Sequence, residues 1–301
     1  MTNRPSGEHP VVPKEQQLPG RRYTPEGIEV PAPSERDVLY EVREGVAWIT
    51  LNRPMILNAA DWSLSHHLYR ALERAEADPE VRVLVIGGAG RAFCAGADLQ
   101  SVQYYPKPDD LQTATMPECG MRIWAMSKPV IASVRGPAVG MGFQIAGMCD
   151  ITVAAEEAVI GELQIRNGLT PPMLITPFLT GLKEAKWILL AGGTMTAQEA
   201  QRVGIVNQVV PAAELDATVE ALAQRMAALP PSTMVVMKKI INRVHEIAGF
   251  MEAFDYHADP AISDLAAVAQ READAAAAQR RAMMQAQGWD AFKAERDAHY
   301  R

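Results

Sequence analysis

The sequence contains few of the features that mark secreted, metal-binding or membrane-spanning proteins. Its three cysteines, Cys94, Cys119 and Cys149, are odd in number and lack the close spacing of a structural metal site. No apolar run approaches the roughly 18 residues of a membrane span, and the opening MTNRPSGEHP lacks the apolar region of a signal peptide. We therefore expect a soluble protein of the reducing cytoplasm with no bound metal.

Positive charge is also scarce in this chain. Lysine and arginine total 29 against 36 aspartate and glutamate residues, which gives a formal net charge of −7. Nucleic-acid-binding domains normally carry a strong basic patch, so this balance argues against that class, although a few basic side chains can still serve an anionic ligand. With 301 residues, of which 48% are hydrophobic, the chain can bury a full core.

The composition divides the chain into three regions. Residues 1–36 hold seven prolines and hardly any apolar cluster, which predicts a flexible extension that is disordered or draped over the surface. Residues 37–211 alternate short β-branched runs with helical segments, as in a layered α/β core. Residues 212–301 show only helical patterns and predict a helical C-terminal subdomain for oligomerisation or for covering a site.

Within the central region, particular segments indicate particular elements. LYEV and VAWITL, separated by Glu44-Gly45, predict a hairpin, and Asp61 is placed to cap the helix that follows. VRVLVIGG, PVIASVRG and DITVAAE read as strands buried on both faces of a parallel sheet. A capping box from Thr196 to Glu199 opens a further short helix.

Two glycine-rich segments follow buried strands and lead into helices: GGAGRAFCAGADL at 87–99 and GPAVGMGFQIAGMCD at 136–150. The second is not a dinucleotide fingerprint, because after Gly140 and Gly142 the next glycine comes only at Gly147, and no GK[ST] phosphate loop occurs. Amides at a helix N-terminus point outward unpaired, and the helix dipole adds partial positive charge. Two such turns from neighbouring strands can hold one oxyanion.

These segments, with TLNRPMILNA at 50–59 and TAQEAQRVGIVNQVVP at 196–211, resemble the crotonase superfamily, also called the enoyl-CoA hydratase/isomerase family, over residues 38–251. The resemblance implies an α/β fold with a ββα spiral core and a helical C-terminal subdomain. It implies an acyl-CoA thioester as substrate and no separate cofactor, since coenzyme A is carried as part of the substrate. A homotrimer or dimer of trimers is also implied, although the Ala-rich C-terminal segment departs from the family's usual ending.

The resemblance assigns the oxyanion hole to the backbone amides of Ala97 and Met141, beside Gly140. Methionine at 141 is compatible with this role if its φ is negative. Asp98 is read as a helix cap. Ala95 is expected near the adenine of coenzyme A.

The sequence offers several candidates for the residues that exchange protons with substrate or water. Matching GMGFQIAG and IGELQIRNGL to the family's patterns places Gln144 and Gln164 where hydratases have two glutamates. A neutral amide has no useful pKa near neutrality, so ordinary hydration is expected to be impaired. Glu118 is the leading substitute, and Glu162 is a weaker candidate because strand alternation can turn it away from the site.

Other side chains are expected to bind substrate. Arg53 and Arg91 are candidates for the phosphates of coenzyme A, and Tyr104 and Tyr105 for the wall of the acyl pocket. Arg166 is a candidate partner for a substrate carboxylate, although a surface ion pair is favoured there.

Three functions remain open. The first is an enoyl-CoA lyase or isomerase, and the second is decarboxylation or thioester hydrolysis on the same scaffold. The third is a catalytically silent acyl-CoA-binding subunit. The sequence does not specify the acyl group.

Overall fold

The computed structural model describes residues 10–101, 105–256, 259–298 and 300. The first nine residues of the predicted extension, and Tyr104, lie outside these ranges. The strands are β1 Val38–Arg43, β2 Val46–Leu51, β3 Val83–Gly88, β4 Val130–Val134, β5 Pro137–Val139, β6 Ile151–Ala155, β7 Val159–Gly161, β8 Met195–Thr196 and β9 Gln208–Val210. The helices are α1 Trp62–Ala77, α2 Met116–Ala125, α3 Met141–Met148, α4 Thr176–Leu179, α5 Leu182–Ala191, α6 Ala197–Arg202, α7 Leu215–Ala227, α8 Pro231–Ile247, α9 Phe250–Phe254, α10 Pro260–Gln287 and α11 Trp289–Arg296.

Two sheets organise the described part of the chain. The larger has the order β1-β2-β3-β4-β6-β9 and is parallel except for the antiparallel β1–β2 hairpin. The smaller has the order β5-β7-β8, with β5 and β7 parallel. The α/β core with its crossovers and the helical C-terminal region are thus as the sequence predicts.

Local sequence signals explain several element boundaries. The hairpin turns at Glu44 and Gly45, both with positive φ. Asp61 accepts hydrogen bonds from the N–H groups of Ser63 and Leu64 at 3.0 Å each, and so caps α1 as predicted.

The larger sheet is buried on both faces. Along β3, Leu84 and Ile86 face the core cluster that includes α1, whereas Val83 and Val85 face a second cluster beneath α7. This alternation is what a continuous apolar run in a doubly covered strand produces.

The N-terminal extension lies on the core from residue 10 onward. It pairs with itself at Val11 and Ile28, and Val30 is buried. Arg22, 7% exposed, forms an ion pair with Asp98 at 2.6 Å. The described part of the extension is thus docked beside the first glycine-rich segment.

The long C-terminal helix α10 lies against the segment that follows β7. A Cβ on Gly168 would lie 3.8 Å from Ala273 of α10, so this helix packs over the turn that follows β7. Across the ranges given above, no helix combines the length and apolar character needed to cross a bilayer.

Candidate active site

The two glycine-rich segments meet at one point. The Cys94 N–H donates to the Pro137 carbonyl at 3.0 Å, and the Val139 N–H donates back to the Cys94 carbonyl at 3.0 Å. A Cβ on Gly96 would lie 3.7 Å from the Met141 nitrogen. The first segment is therefore held against β5 immediately before α3 begins.

Glycine is required where the turn enters α3. Gly140 has φ +57°, a region that other residues seldom adopt. A Cβ on Gly142 would lie 2.2 Å from the Cys94 carbonyl oxygen, which no side chain permits. These two positions let the backbones approach closely and set the direction of the first amides of α3.

Two amides at this junction are available to a ligand. Neither the Ala97 N–H nor the Met141 N–H donates to any acceptor in the described ranges. Met141 is the first residue of α3, and Ala97 is an exposed residue that forms an isolated parallel bridge with Ala60. Met141 is absent from the residues with positive φ, so its φ is negative, as its use as an amide donor requires. Its side chain packs against the main core cluster.

Beneath this junction lies a buried carboxylate. Glu162, which directly follows β7, is 1% exposed. The side-chain amide of Gln144 lies 3.3 Å from each of its carboxylate oxygens and also donates to the Met173 carbonyl at 3.0 Å. The Thr176 hydroxyl donates to Glu162 Oε1 at 3.1 Å. The structure thus brings Glu162 to Gln144, although sequence reasoning ranks it below Glu118.

Burial dominates the ionisation of Glu162. Desolvation raises the pKa of its carboxyl from 4.5 to about 7, while Gln164, Gln144 and Thr176 act in the opposite direction by favouring the charged form. A carboxyl in this state exchanges protons readily at neutral pH.

Gln164 also lies close to the same carboxylate. It begins a 3₁₀ turn, Gln164–Asn167, and its Nε2 would lie 3.9 Å from a Cβ on Gly140. Gln164 lies near enough to Glu162 to lower the pKa of its carboxyl, yet neither polar atom of its side chain meets hydrogen-bond geometry with a described partner. Gln144 Oε1 is likewise buried and unpaired within those ranges. Buried polar atoms normally have partners, so these three are suited to contact a ligand.

An apolar cavity of about 300 Å³ reaches Glu162 and Gln164. Its walls are Glu162, Gln164, Ile165, Leu169, Thr170, Pro171, Leu174, Leu189, Leu190, Tyr256 and Ile262. The volume is twice that of an engineered cavity of about 150 Å³ that binds benzene. The cavity therefore has room for an extended or ring-containing apolar group beside the carboxylate.

Glu118 is not brought to this cluster. It is exposed at the start of α2, where its Oε2 accepts hydrogen bonds from the Thr115 N–H at 2.6 Å and the Thr115 hydroxyl at 2.8 Å. Its own N–H donates to Thr115 Oγ1, which completes a capping box. The structure gives Glu118 the role of a helix cap, and it is absent from the cavity walls.

The predicted coenzyme A ligands fall in different environments. Arg53 is buried and forms ion pairs with Asp61 at 2.8 Å and Asp98 at 3.5 Å, so its guanidinium is held by carboxylates inside the protein. Arg91 is exposed, and Ala95 is half-buried on the same segment. The two arginines therefore cannot be equivalent partners for phosphate, and Arg91 has the required access.

The remaining predicted residues serve the framework. The Tyr105 hydroxyl donates to the Val30 carbonyl at 3.0 Å, which ties it to the N-terminal extension and not to the cavity. Asp98 Oδ1 accepts the Gln100 N–H at 3.1 Å while its Oδ2 pairs with Arg22. Arg166 donates to Asp297 at 3.2 Å, the ion pair that the sequence favours for it.

The spiral of parallel strands and the two converging glycine turns define a crotonase-type acyl-CoA enzyme. Residues 41–300 match the family model described as Enoyl-CoA hydratase/isomerase. The chain therefore belongs to the enoyl-CoA hydratase/isomerase family, as its sequence segments indicate.

Curated and solved relatives agree with this assignment. A probable enoyl-CoA hydratase of Mycobacterium tuberculosis is 34% identical over 69% of this chain and 82% of its own. The 2,3-dehydroadipyl-CoA hydratase of Escherichia coli is 35% identical over 70% of this chain and 84% of its own. A crystal structure of an enoyl-CoA hydratase/isomerase from Xanthobacter autotrophicus superposes with a TM-score of 0.79 at 31% identity, over 88% of this chain and 98% of its own.

Proposed function

We propose that the protein adds water to, or moves, the double bond of an enoyl-CoA thioester through an enolate. The observation that carries this proposal is the pair of Ala97 and Met141 amides without acceptors where the glycine-rich segments meet, next to a buried carboxylate that lines an apolar cavity. The thioester oxygen accepts hydrogen bonds from both amides as it becomes negative. One such donor contributes about 3 to 4 kcal/mol to the transition state.

Hydration is the first candidate reaction. Two of the relatives above carry hydratase names, and the unpaired polar atoms of Gln144 and Gln164 are suited to hold a water molecule. A carboxylate beside that water is the usual means of removing its proton. Under this proposal the glutamines orient the nucleophile and do not exchange protons.

Isomerisation is the second candidate, and the number of carboxylates favours it. Among the described residues that wall the cavity, Glu162 alone carries a carboxyl group. Moving a double bond requires one group that takes a proton from one carbon and returns it to another, so a single carboxylate suffices.

The cavity also restricts the acyl group. Its described walls hold no lysine, arginine or histidine, and Glu162 adds negative potential when it is ionised. An acyl chain that ends in a carboxylate would lose its hydration there without gaining a positive partner. We therefore expect uncharged aliphatic or aryl enoyl groups.

The test is to incubate the protein with enoyl-, malonyl- and aryl-CoA thioesters in deuterated water and to follow product masses. A mass gain of water supports hydration, and deuterium uptake without it supports isomerisation. Loss of carbon dioxide identifies a decarboxylase and free coenzyme A a thioesterase. Tight thioester binding with no product identifies a silent binding subunit, and each of these three results contradicts the proposal.

Restoring glutamate at the two glutamine positions refines the same test. Gln164→Glu is expected to raise hydration if the scaffold binds enoyl-CoA productively. Gln144→Glu is expected to lower it, because the new carboxylate would lie about 3.3 Å from Glu162 and the two charges would oppose each other's ionisation. An equal gain in both variants would contradict this arrangement.

We also propose that the chain assembles as a homotrimer or a dimer of trimers. One face of α8 presents Val236, Ile240, Val244 and Ile247, which are 53%, 55%, 62% and 74% exposed. A continuous apolar face of this kind is typical of an interface between subunits. Light scattering with the native protein and with Ile240→Glu tests this, and a monomeric native protein would contradict it.

A further inference from the structure

We propose that Glu162 is the catalytic residue that transfers the proton in this site, and that Gln144 and Thr176 position its carboxylate. The inference rests on the proposed enoyl-CoA reaction. It deepens that proposal by assigning the proton chemistry to a strand-end residue that has both glutamines beside it.

A backbone hydrogen bond connects the chain at Glu162 to the turn at Gly140 that leads into α3. The Gly140 N–H donates to the Gly161 carbonyl at 2.8 Å, so the residue before Glu162 is bonded to the residue before Met141. β7 is also paired with β5 through Ala138 and Ile160. The backbones that carry the Glu162 carboxylate and the Met141 amide are thus joined by the β5–β7 hydrogen bonds, which gives the fixed geometry that precise proton transfer requires.

The side-chain contacts fix the carboxylate without neutralising it. Gln144 approaches both oxygens at 3.3 Å and is itself held by the Met173 carbonyl, while Thr176 donates to Oε1 at 3.1 Å. Both are neutral groups, and no arginine or lysine in the described ranges forms an ion pair with Glu162. The titratable neighbour with electrostatic influence is Tyr256, which also lines the cavity.

These surroundings suit a group that must both accept and release a proton. A carboxylate paired with a cation would hold its charge and resist protonation, whereas burial among neutral donors raises the pKa of Glu162 to about 7. Both protonation states are then populated at neutral pH. Because Glu162 lines the cavity, a substrate there contacts it directly.

One residue can both accept and donate the proton in each of the two candidate reactions. In hydration, the carboxylate takes a proton from water as the water oxygen bonds to C3. The C2=C3 electrons pass into the thioester, whose oxygen becomes the enolate oxygen held by the two amides. Protonated Glu162 then returns the proton to C2, which adds H and OH across the double bond and regenerates the carboxylate. In isomerisation the same residue takes a proton from C4 and delivers it to C2.

The experiment compares Glu162→Gln with Glu157→Gln, which makes the same change at an exposed turn five residues earlier. Turnover of the best substrate is measured together with deuterium exchange at C2 of a saturated acyl-CoA and with thioester affinity. In Glu162→Gln we expect turnover and exchange to fall by about 10² to 10⁴ while the Kd changes less than about threefold. Glu162→Asp is expected to recover part of the exchange.

The pH profile supplies a readout that a structural role would not move. Native turnover is expected to depend on a group with an apparent pKa of about 7, and that dependence is expected to vanish from the residual activity of Glu162→Gln. Turnover that is unaffected by Glu162→Gln, or that is lost in Glu118→Gln instead, would refute the inference and leave the proposed function intact. Exchange that depends on Glu162 without net turnover would refute the proposed function and leave the inference standing. Absence of both in the native protein would refute both.

Discussion

Replacing Glu162 with glutamine should stabilise the protein at neutral and alkaline pH. The carboxyl has a pKa of about 7 in the folded protein, against 4.5 as its ordinary value. Below about pH 4.5 both folded and unfolded chains are protonated at this residue, and ionisation costs nothing. As the pH rises from 4.5 to 7 the unfolded chain loses its proton first, so the folded state loses relative stability, and above pH 7 the full cost remains.

The size of the effect follows from the shift. A difference of about 2.5 pKa units corresponds to about 3 kcal/mol at 1.36 kcal/mol per unit. Glutamine has nearly the same shape and keeps an oxygen that accepts from the Thr176 hydroxyl. At roughly 2 °C per kcal/mol for a chain of this size, the variant should melt about 6 °C higher at pH 8, with little difference at pH 4.5.

Calorimetry at pH 4.5, 6 and 8, with equal protomer concentrations, measures this difference. Glu157→Gln, at an exposed position, should follow the native curve throughout. If the Glu162→Gln variant melts at or below the native temperature at pH 8, burial does not raise the pKa of the Glu162 carboxyl. Glu162 would then be ionised at neutral pH and poorly suited to both accept and release a proton.

Three further predictions concern the amides, the cavity and the extension. Met141→Pro removes one oxyanion donor at a helix position that tolerates proline, so kcat should fall about 10² to 10³ while Met141→Ala, which keeps the N–H, stays far more active in the same assay. Leu174→Trp should displace about two methylenes of the acyl chain, about 1.6 kcal/mol, and lower kcat/KM more than tenfold for long but not short enoyl chains. Arg22→Ala should lower the free energy of unfolding in urea by about 3 kcal/mol, because it leaves the buried Asp98 carboxylate with Arg53 alone. Equal kcat in the two Met141 variants, an unchanged chain-length profile or an unchanged urea midpoint would refute these three predictions in turn.

Much of the fold is readable from the sequence because its signals are local. Asp61 caps α1, and the apolar run of β3 is buried on both faces, as composition and spacing indicate. The glycines at 140 and 142 mark the turn that places the Met141 amide. Each of these outcomes depends on a residue and its immediate neighbours.

The surroundings of other site residues depend on contacts between distant segments. Arg53 looks like a surface residue in its turn, but Asp61 and Asp98 approach it from a helix cap and from the first glycine segment. Glu162 follows a short strand, and a single residue of register decides whether its side chain faces the cavity or solvent. Pairing of β7 with β5 sets that register, and no local pattern reports it.

The site combines one carboxylate, Glu162, with two neutral amides, Gln144 and Gln164. Gln144 lies 3.3 Å from both oxygens of Glu162, and Gln164 lies beside it. A second carboxylate at that distance in a buried site would raise the pKa of the pair until one proton was shared between them. Neutral amides avoid this conflict, orient the single carboxylate and retain unpaired polar atoms for substrate or water. The two glutamines are therefore compatible with proton chemistry, because a carboxylate lies beside both of them.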